Sequence, residues 1–274
     1  MKVASITILY NFDKTNIENI KTYEKYVDKV IVVDNSDKDD NYKKLKEYLK
    51  NYIYIRMNGN EGIAKALNVG IEKAKKLKCE WVLTMDQDTN VDFDIVKSYL
   101  DIFENKIIEK QNVLLLSPNY NFDRHNCVVE DKVEKIDYVM QSANLVNVDK
   151  FELNGIFKED FFIDMVDFEF CLRAKRQGYD MYSCKNLVVN HNPGITKKTK
   201  FLKRKYGYCS PLRIYYQSRN ILWTYKEYKN KKMLLILLYK LYKILFLFDN
   251  KKEFLQMYFK GIKDCKNNKF GKYI

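Results

Sequence analysis

The chain has few of the residues that build disulfide frameworks and zinc sites. Its 274 residues include six cysteines, two histidines, three prolines and nine glycines. The cysteines are scattered without a Cys-x-x-Cys pair, which favours free thiols in a reducing cytoplasm. The first residues show no signal-peptide pattern, and no apolar run reaches the roughly 18 residues that span a bilayer. We therefore expect a cytoplasmic protein without a membrane-spanning helix.

Positive charge is concentrated at one end of the chain. Residues 197–274 carry 21 Lys and Arg against 4 Asp and Glu, within a net charge of +13. Residues 233–248 mix apolar residues with lysines, which is typical of a helix lying on an anionic membrane. The alternative is a buried helix of a C-terminal cap. We predict a domain over residues 1–225 and a basic amphipathic helical tail over residues 226–274, in contact with the inner face of the cell membrane.

Strand and helix patterns alternate along the first third of the chain. Predicted strands lie at 3–10, 29–33, 52–55 and 81–85, and helices separate them. This order predicts an α/β fold, a mostly parallel sheet with helices on both faces. In the later part we predict a strand at 113–116 that ends in a turn at 117–119, an edge hairpin within 127–139, a helix over 164–177 and a last strand at 187–189.

Two carboxylates follow the most buried predicted strand. Asp86 and Asp88 come directly after the run from Trp81 to Met85, and ligands bind at the carboxyl ends of strands in open α/β sheets. Carboxylates this close repel each other unless a cation lies between them, and Mg²⁺ favours carboxylates together with substrate phosphates. A metal–diphosphate site is therefore one interpretation, and a solvated Asp-x-Asp loop is the other. His191, just after the last predicted strand, is a candidate third ligand.

Three further segments carry candidate binding groups. Asp34 and Asn35 end the second strand, where they either contact a base or ribose or form an Asx-turn. Asn60, Gly62 and Lys65 open a helix whose small residues allow close approach and whose N-terminus suits an anion. The segment 210–220 mixes tyrosines with two arginines, which bind diphosphate bidentately.

Asp164 and Asp167 lie three residues apart at a predicted helix start. They either stabilise the helix N-terminus or supply a general base to a cleft.

Together these motifs resemble a family 2 glycosyltransferase of GT-A fold, and in detail its bacterial rhamnosyltransferase branch. The resemblance covers about residues 3–225. Its motifs are Asp34-Asn35-Ser36, Asn60…Gly62…Asn68…Gly70, Asp86-Gln87-Asp88, Phe162-Ile163-Asp164…Asp167-Phe168-Glu169…Arg173, His191 and Ser210-Pro211-Leu212-Arg213…Arg219-Asn220.

The resemblance implies an inverting transfer from a nucleotide-sugar donor, dTDP-L-rhamnose in this branch, to a glycan acceptor that is often lipid-linked. It implies Mg²⁺ or Mn²⁺ bound by Asp86, Asp88 and His191. Asp167 aligns with the family's base; because Val166 replaces the usual first acid of that pair, Asp164 is the second candidate. The remaining predicted nucleotide-binding residues are Tyr10, Asp34, Asn35, Asn60, Gly62, Lys65, Asp86 and Arg219.

Other functions fit the motifs less well. A nucleotidyltransferase needs a Gly-rich basic loop after the first strand, where this chain has Tyr10-Asn11-Phe12-Asp13. A non-catalytic glycan- or membrane-binding homologue and a transferase using a UDP-hexose stay open. The apolar run of the tail favours lipid over nucleic acid, so no nucleic acid partner is expected.

Overall fold

The structure is a computed structural model that describes residues 1–38, 42–123, 127–191, 194–199 and 205–273. Its strands are β1 (Val3–Leu9), β2 (Lys29–Asp34), β3 (Tyr52–Arg56), β4 (Trp81–Asp86), β5 (Thr89–Asn90), β6 (Val113–Asn121), β7 (Val133–Lys135), β8 (Asn144–Asn147), β9 (Asp180–His191), β10 (Ile195–Lys198) and β11 (Lys205–Tyr208). Its α-helices are α1 (Lys14–Glu24), α2 (Tyr42–Tyr48), α3 (Ile63–Lys76), α4 (Ile95–Asn105), α5 (Val148–Asn154), α6 (Val166–Arg176), α7 (Pro211–Tyr228), α8 (Lys231–Phe246) and α9 (Lys251–Lys266). A 3-10 turn covers Glu159–Phe161.

The predicted α/β fold is confirmed. Strands β3, β2, β1 and β4 pair in parallel in that order, and the order reverses between β1 and β4. Every residue of β1 is buried, as expected for a parallel strand covered by helices on both faces. The reversal creates a topological switch point, and a crevice opens outside the carboxyl ends of β1 and β4.

The second half of the sheet brings the end of β9 back to that crevice. Strand β8 is antiparallel to β4 and to β6, while β6 and β9 run in parallel. The carboxyl ends of β4, β6 and β9 therefore lie at one edge of the sheet. Thr89 of β5 lies opposite His191, which places the imidazole beside the Asp86–Asp88 loop.

Three local predictions in this half are wrong. Residues 117–119 are not a turn, because β6 continues through Pro118. Proline has no N–H to donate to a neighbouring strand, and the pairing with β9 shifts register directly after it. Among the described residues of 127–139 there is one strand, β7, which pairs with β9 rather than in a hairpin. Helix α6 begins at Val166, so Asp164 precedes the helix and does not share its first turn with Asp167.

The basic end of the chain contains the helices α7, α8 and α9, preceded by the antiparallel pair of β10 and β11. Helix α9 approaches α7 so closely that a Cβ on Gly261 would lie 2.4 Å from the Tyr215 carbonyl oxygen. Buried Met233, Leu237 and Ile244 attach one face of α8 to the core. Helix α7 runs through residue 225, and the division of the chain there stays a prediction. No helix within the described ranges is long and apolar enough to cross a membrane.

Candidate active site

An acidic and imidazole cluster lies at the carboxyl edge of the sheet. The ligand atoms of Asp86, Asp88 and His191 lie within 4.8 Å of one another. Asp86 Oδ2 is 3.7 Å from His191 Nε2, and Asp88 Oδ1 is 3.4 Å from His191 Nδ1. Burial raises the pKa of Asp86 to about 6, with a contribution from the Asp88 charge. Two carboxylates and an imidazole at this spacing form a donor set that fits a divalent cation.

Buried hydroxyls hold this cluster in position. The Thr89 hydroxyl lies 2.8 Å from His191 Nδ1 and 2.7 Å from the Ser142 hydroxyl. Ser142 Oγ in turn accepts a hydrogen bond from the Asp86 amide at 3.0 Å. Both hydroxyl residues are fully buried, so the orientation of His191 and the end of β4 are fixed together.

Gln87, between the two acids, fixes the loop that follows β4. Its side chain accepts a hydrogen bond from the Tyr10 amide at 2.8 Å, and its carbonyl accepts from Asn16 and Asn19 of α1. The loop after β4 is thereby fastened to the end of β1 across the switch point, and the two carboxylates are left on the open side.

The predicted nucleotide residues at the ends of β1 and β2 meet the loop 58–62. Asn35 donates to Asn60 Oδ1 at 3.2 Å and accepts from the Glu61 amide at 2.9 Å. The Tyr10 hydroxyl donates to Asp37 Oδ2 at 2.9 Å, and the Asn60 amide donates to Asp37 Oδ1. Tyr10 is 40% exposed, so its ring is open to a ligand.

Asp34 is not brought into the crevice. It is 1% exposed, and its carboxylate accepts hydrogen bonds from the Tyr54 hydroxyl at 2.7 Å and the Ser36 amide at 3.0 Å. Arg56 lies 3.7 Å from the same carboxylate. Asp34 therefore ends the strand in an Asx-type turn, and the neighbouring Asp37 is the carboxylate that faces the loop 58–62.

Gly62 joins this loop to the segment that precedes α6. Its φ is +90°, and a Cβ there would lie 2.6 Å from the Phe162 carbonyl oxygen. The Ile63 amide donates to that same carbonyl at 2.8 Å. Lys65, one turn into α3, forms an ion pair with Glu61. The sequence predicts that another backbone or a nucleotide approaches the small residues at the start of α3. In the structure, the Phe162 backbone lies there.

Asp167 lies in the first turn of α6, near enough to Asp86 for that charge to act on its carboxyl group. Its carboxylate accepts from the Phe168 amide at 2.9 Å and the Gln141 amide at 3.2 Å. Burial, followed by the negative charges of Asp86 and Asp164, raises its pKa to about 7. A carboxylate with a pKa near neutrality can accept a proton at the pH of the cell.

Asp164 is held in a different state. Arg213 binds it bidentately, with Nε 2.6 Å and Nη2 2.8 Å from its two oxygens, and Gln217 donates a third hydrogen bond. The carboxylate raises the pKa of Arg213 in return. A carboxylate with its oxygens occupied by a guanidinium is a weaker proton acceptor than Asp167.

Arg219 is buried behind the site rather than exposed to the crevice. Its guanidinium is 0% exposed and donates to the carbonyl oxygens of Asp160, Phe161 and Gly271. Asn220 continues the pattern with hydrogen bonds to the carbonyls of Phe161, Ile163 and Asp164. These donors hold a segment in which Phe162, Asp164 and Met165 all have positive φ.

Three residues of this site, Asp37, Thr89 and Ser142, were missed on the sequence, whereas the segment 210–220 that the sequence singles out contains Arg213, Gln217 and Asn220. The last three had a visible signal, since positions 213, 217 and 220 share one face of a helix that begins at Pro211. Thr89 and Ser142 had none, because their contact joins residues 53 positions apart in the chain.

Comparison with known proteins identifies the chemistry that this arrangement resembles. A model described as "Glycosyl transferase family 2" matches residues 14–127. The predicted resemblance to family 2 glycosyltransferases is confirmed. The "dTDP-rhamnosyl transferase RfbF" of Shigella flexneri is 26% identical over 232 residues, which cover 80% of this chain and 78% of the relative.

Solved glycosyltransferase structures share the fold. The S. aureus TarS 1–349 structure in complex with UDP-GlcNAc has a TM-score of 0.62 at 16% identity, covering 98% of this chain and 82% of that one. GalNAc-T7 with UDP, GalNAc and Mn²⁺ has a TM-score of 0.61 at 12% identity; this chain is covered to 97% but spans only 57% of GalNAc-T7. At such low identity the likeness shows only a common fold, which is GT-A-like.

Proposed function

We propose that this family 2 glycosyltransferase inverts the configuration of the sugar that it moves, taking L-rhamnose from dTDP-L-rhamnose to a glycan acceptor in cell-surface polysaccharide synthesis. One observation carries the proposal of catalysis. The crevice at the switch point holds an Asp-Asp-His cluster and, facing it, a carboxyl group whose burial raises its pKa to about 7. The rhamnosyl part rests on the similarity to the S. flexneri dTDP-rhamnosyl transferase.

Asp86, Asp88 and His191 are the residues that would hold Mg²⁺ or Mn²⁺. When bound, such a cation neutralises negative charge on a diphosphate leaving group. Ser142 fixes the end of β4 and Thr89 holds the imidazole, so the three ligand groups are kept together. We propose that the nucleotide binds beyond the ends of β1 and β2, in contact with Tyr10, Asn35, Asn60, Gly62 and Lys65.

Asp167 is proposed as the general base. The acceptor hydroxyl oxygen attacks the anomeric carbon of the donor sugar as the bond from that carbon to the diphosphate oxygen breaks. The hydroxyl proton passes to the Asp167 carboxylate, and the nucleoside diphosphate leaves. Arg213 occupies both oxygens of Asp164, so this pair orders the crevice and does not serve as the proton acceptor.

An exposed face of α8 supports membrane contact and a lipid-linked acceptor. Its exposed large side chains are Leu235, Leu238, Tyr239, Tyr242, Leu245 and Phe246. They recur at helical spacing opposite the buried face, and exposed Lys231, Lys232, Lys251 and Lys252 lie at the two ends. An apolar stripe with lysines around it suits an anionic bilayer surface. We propose a peripheral position on the cytoplasmic face of the cell membrane.

A nucleotide-sugar panel tests the proposed function. The chain is incubated with dTDP-rhamnose, dTDP-glucose, UDP-glucose or UDP-GlcNAc and with Mg²⁺ or Mn²⁺, and thermal stability and slow donor hydrolysis are measured. We expect stabilisation and hydrolysis with dTDP-rhamnose. A response to UDP-sugars alone would refute the rhamnosyl assignment, and no response to any of the four would refute the transferase function.

A further inference from the structure

The segment 270–273 returns from α9 to the site. The Gly271 amide donates to the Asp160 carbonyl at 2.8 Å, and the Gly271 carbonyl accepts from Arg219 at 2.8 Å. The Tyr273 amide donates to the Tyr216 hydroxyl at 2.8 Å, and its ring packs edge-on against Tyr215 at 4.6 Å between centroids. Three backbone groups of this segment, the amide and carbonyl of Gly271 and the amide of Tyr273, therefore have partners on α7 or on the 3-10 turn before α6.

Lys272 of this segment contacts the loop 58–62, which we call the nucleotide loop. Lys272 Nζ donates to the Asn60 carbonyl at 3.0 Å, a contact between residues 212 positions apart in the chain. The Tyr216 ring stacks on Phe162 at 5.2 Å, and the Phe162 carbonyl accepts from the amide of Ile63. The segment thus reaches the start of α3 by two routes, one through its lysine and one through Tyr216.

Two carboxylates lie near Lys272. Asp37 and Glu61 lie beside Asn60; a hydrogen bond from Tyr10 lowers the pKa of Asp37 most and one from Lys65 lowers that of Glu61 most, and the Lys272 ammonium adds to both shifts. Lys65 is paired with Glu61, and Arg56 also acts on Asp37. A nucleoside diphosphate that approaches Asn60 therefore meets carboxylates whose repulsion Lys272 offsets.

We propose that Lys272 is a donor-binding residue, delivered to the nucleotide loop by the segment 270–273. The inference rests on the proposed function, since the ligand is its nucleoside diphosphate. Lys272 acts by offsetting the negative charges of Asp37 and Glu61 beside Asn60 and by holding the Asn60 backbone in place. Both effects apply equally to bound donor and to the transition state, so they change donor affinity and not the chemical step.

Charge variants with a control on the same segment test this inference. Lys272→Glu and Lys269→Glu make the same change in net charge, and Lys269 is exposed on the approach to the segment. Lys272→Met keeps the apolar stem, and Lys272→Arg keeps the charge. Dissociation constants of dTDP and UDP are measured by calorimetry with Mg²⁺ at 50 and 300 mM NaCl, together with donor KM, kcat and thermal unfolding of each variant.

For whichever nucleotide binds the wild type, we expect Lys272→Met to weaken binding about fivefold and Lys272→Glu about tenfold or more at low salt. Lys272→Arg and Lys269→Glu stay within about twofold of the wild type on the same reasoning. Donor KM rises in parallel while kcat is kept. The losses shrink at 300 mM NaCl because salt screens exposed charges.

The outcomes separate the two proposals. If the wild type binds neither dTDP nor UDP, the proposed function fails and this inference fails with it. If the wild type binds but Lys272→Glu loses no more affinity than Lys269→Glu, the transferase function survives and the role of Lys272 is refuted. A fall in kcat at unchanged donor KM, or a loss of binding in Lys272→Arg equal to that in Lys272→Met, also overturns it.

Discussion

Replacing Asp167 by asparagine tests two properties of this residue separately: its proposed role as a base and its effect on the free energy of unfolding. The carboxyl group is buried near two other acids, and its pKa is raised from the ordinary 3.8 to about 7. The folded protein therefore favours the protonated form. Because the folded pKa lies above the unfolded one, the stability that this group contributes is complete below pH 4 and is lost progressively as the pH rises through 7.

The size of the loss follows from linkage. At about 1.4 kcal/mol per pKa unit, the raised pKa corresponds to about 4 kcal/mol of destabilisation at pH 8, but only to about 2 kcal/mol at pH 5, where the folded group is still protonated. Asparagine has nearly the same shape and carries no charge. We expect Asp167→Asn to be more stable than the wild type, by an amount that grows by roughly 2 to 3 kcal/mol between those two pH values.

Urea denaturation of both proteins at pH 5, 6, 7 and 8, with chelator to remove divalent cations, measures this difference. Asp101→Asn, an isosteric change of an exposed acid on α4, is the control and should leave stability unchanged. In turnover assays we expect Asp167→Asn to lose about 10²- to 10⁴-fold in kcat, the usual contribution of a general base, and to keep donor affinity.

Two results would refute this reasoning. A stability difference that does not change between pH 5 and 8 would mean that the pKa of Asp167 is not raised. Wild-type turnover in Asp167→Asn, or a loss of transfer in Asp164→Asn alone, would mean that another group accepts the proton.

Two further predictions address the cation and the membrane. Asp88→Ala should abolish the turnover that Mn²⁺ restores after EDTA treatment, because the diphosphate loses its proposed counterion; full turnover in EDTA would contradict this. Replacing Leu238 and Tyr242 of α8 by glutamate should abolish sedimentation with vesicles containing phosphatidylglycerol and keep the unfolding temperature, whereas glutamate at Ile108, which is 97% exposed elsewhere, should leave binding unchanged. Vesicle binding that survives in the α8 variant would exclude this face.

The parallel half of the fold was predictable because its signals are local. The strand before Asp86 is a short buried run, and in a parallel sheet the carboxyl ends of such strands meet at one edge. The order of the strands then predicts a crevice at the switch point. The sequence could therefore indicate that Asp86, Asp88 and His191 belong to one site, and the structure brings their ligand atoms within 4.8 Å.

The positions of Asp34 and Asp164 could not be predicted in the same way. Whether a carboxylate at a strand end faces a ligand or the core depends on distant partners. Tyr54 and Arg56 of the next strand turn Asp34 inward, while Asp37, three residues later, faces the loop 58–62. Asp164 leaves the helix because its backbone takes a positive φ, which the sequence Ile163-Asp164-Met165 does not signal.

Arg219 illustrates the same limit for cations. An arginine among the tyrosines of the segment 210–220 suggests a side chain that binds diphosphate. Here the buried guanidinium donates to three backbone carbonyls, two of which belong to the turn before α6, and Asn220 binds the carbonyls that follow. A left-handed backbone at Phe162, Asp164 and Met165 leaves these carbonyls without helical partners, and such a conformation persists only where neighbouring groups fix it. Arg219 and Asn220 provide that fixation, and through it they place Asp164 against Arg213 and start α6 at the position that turns Asp167 toward the cluster.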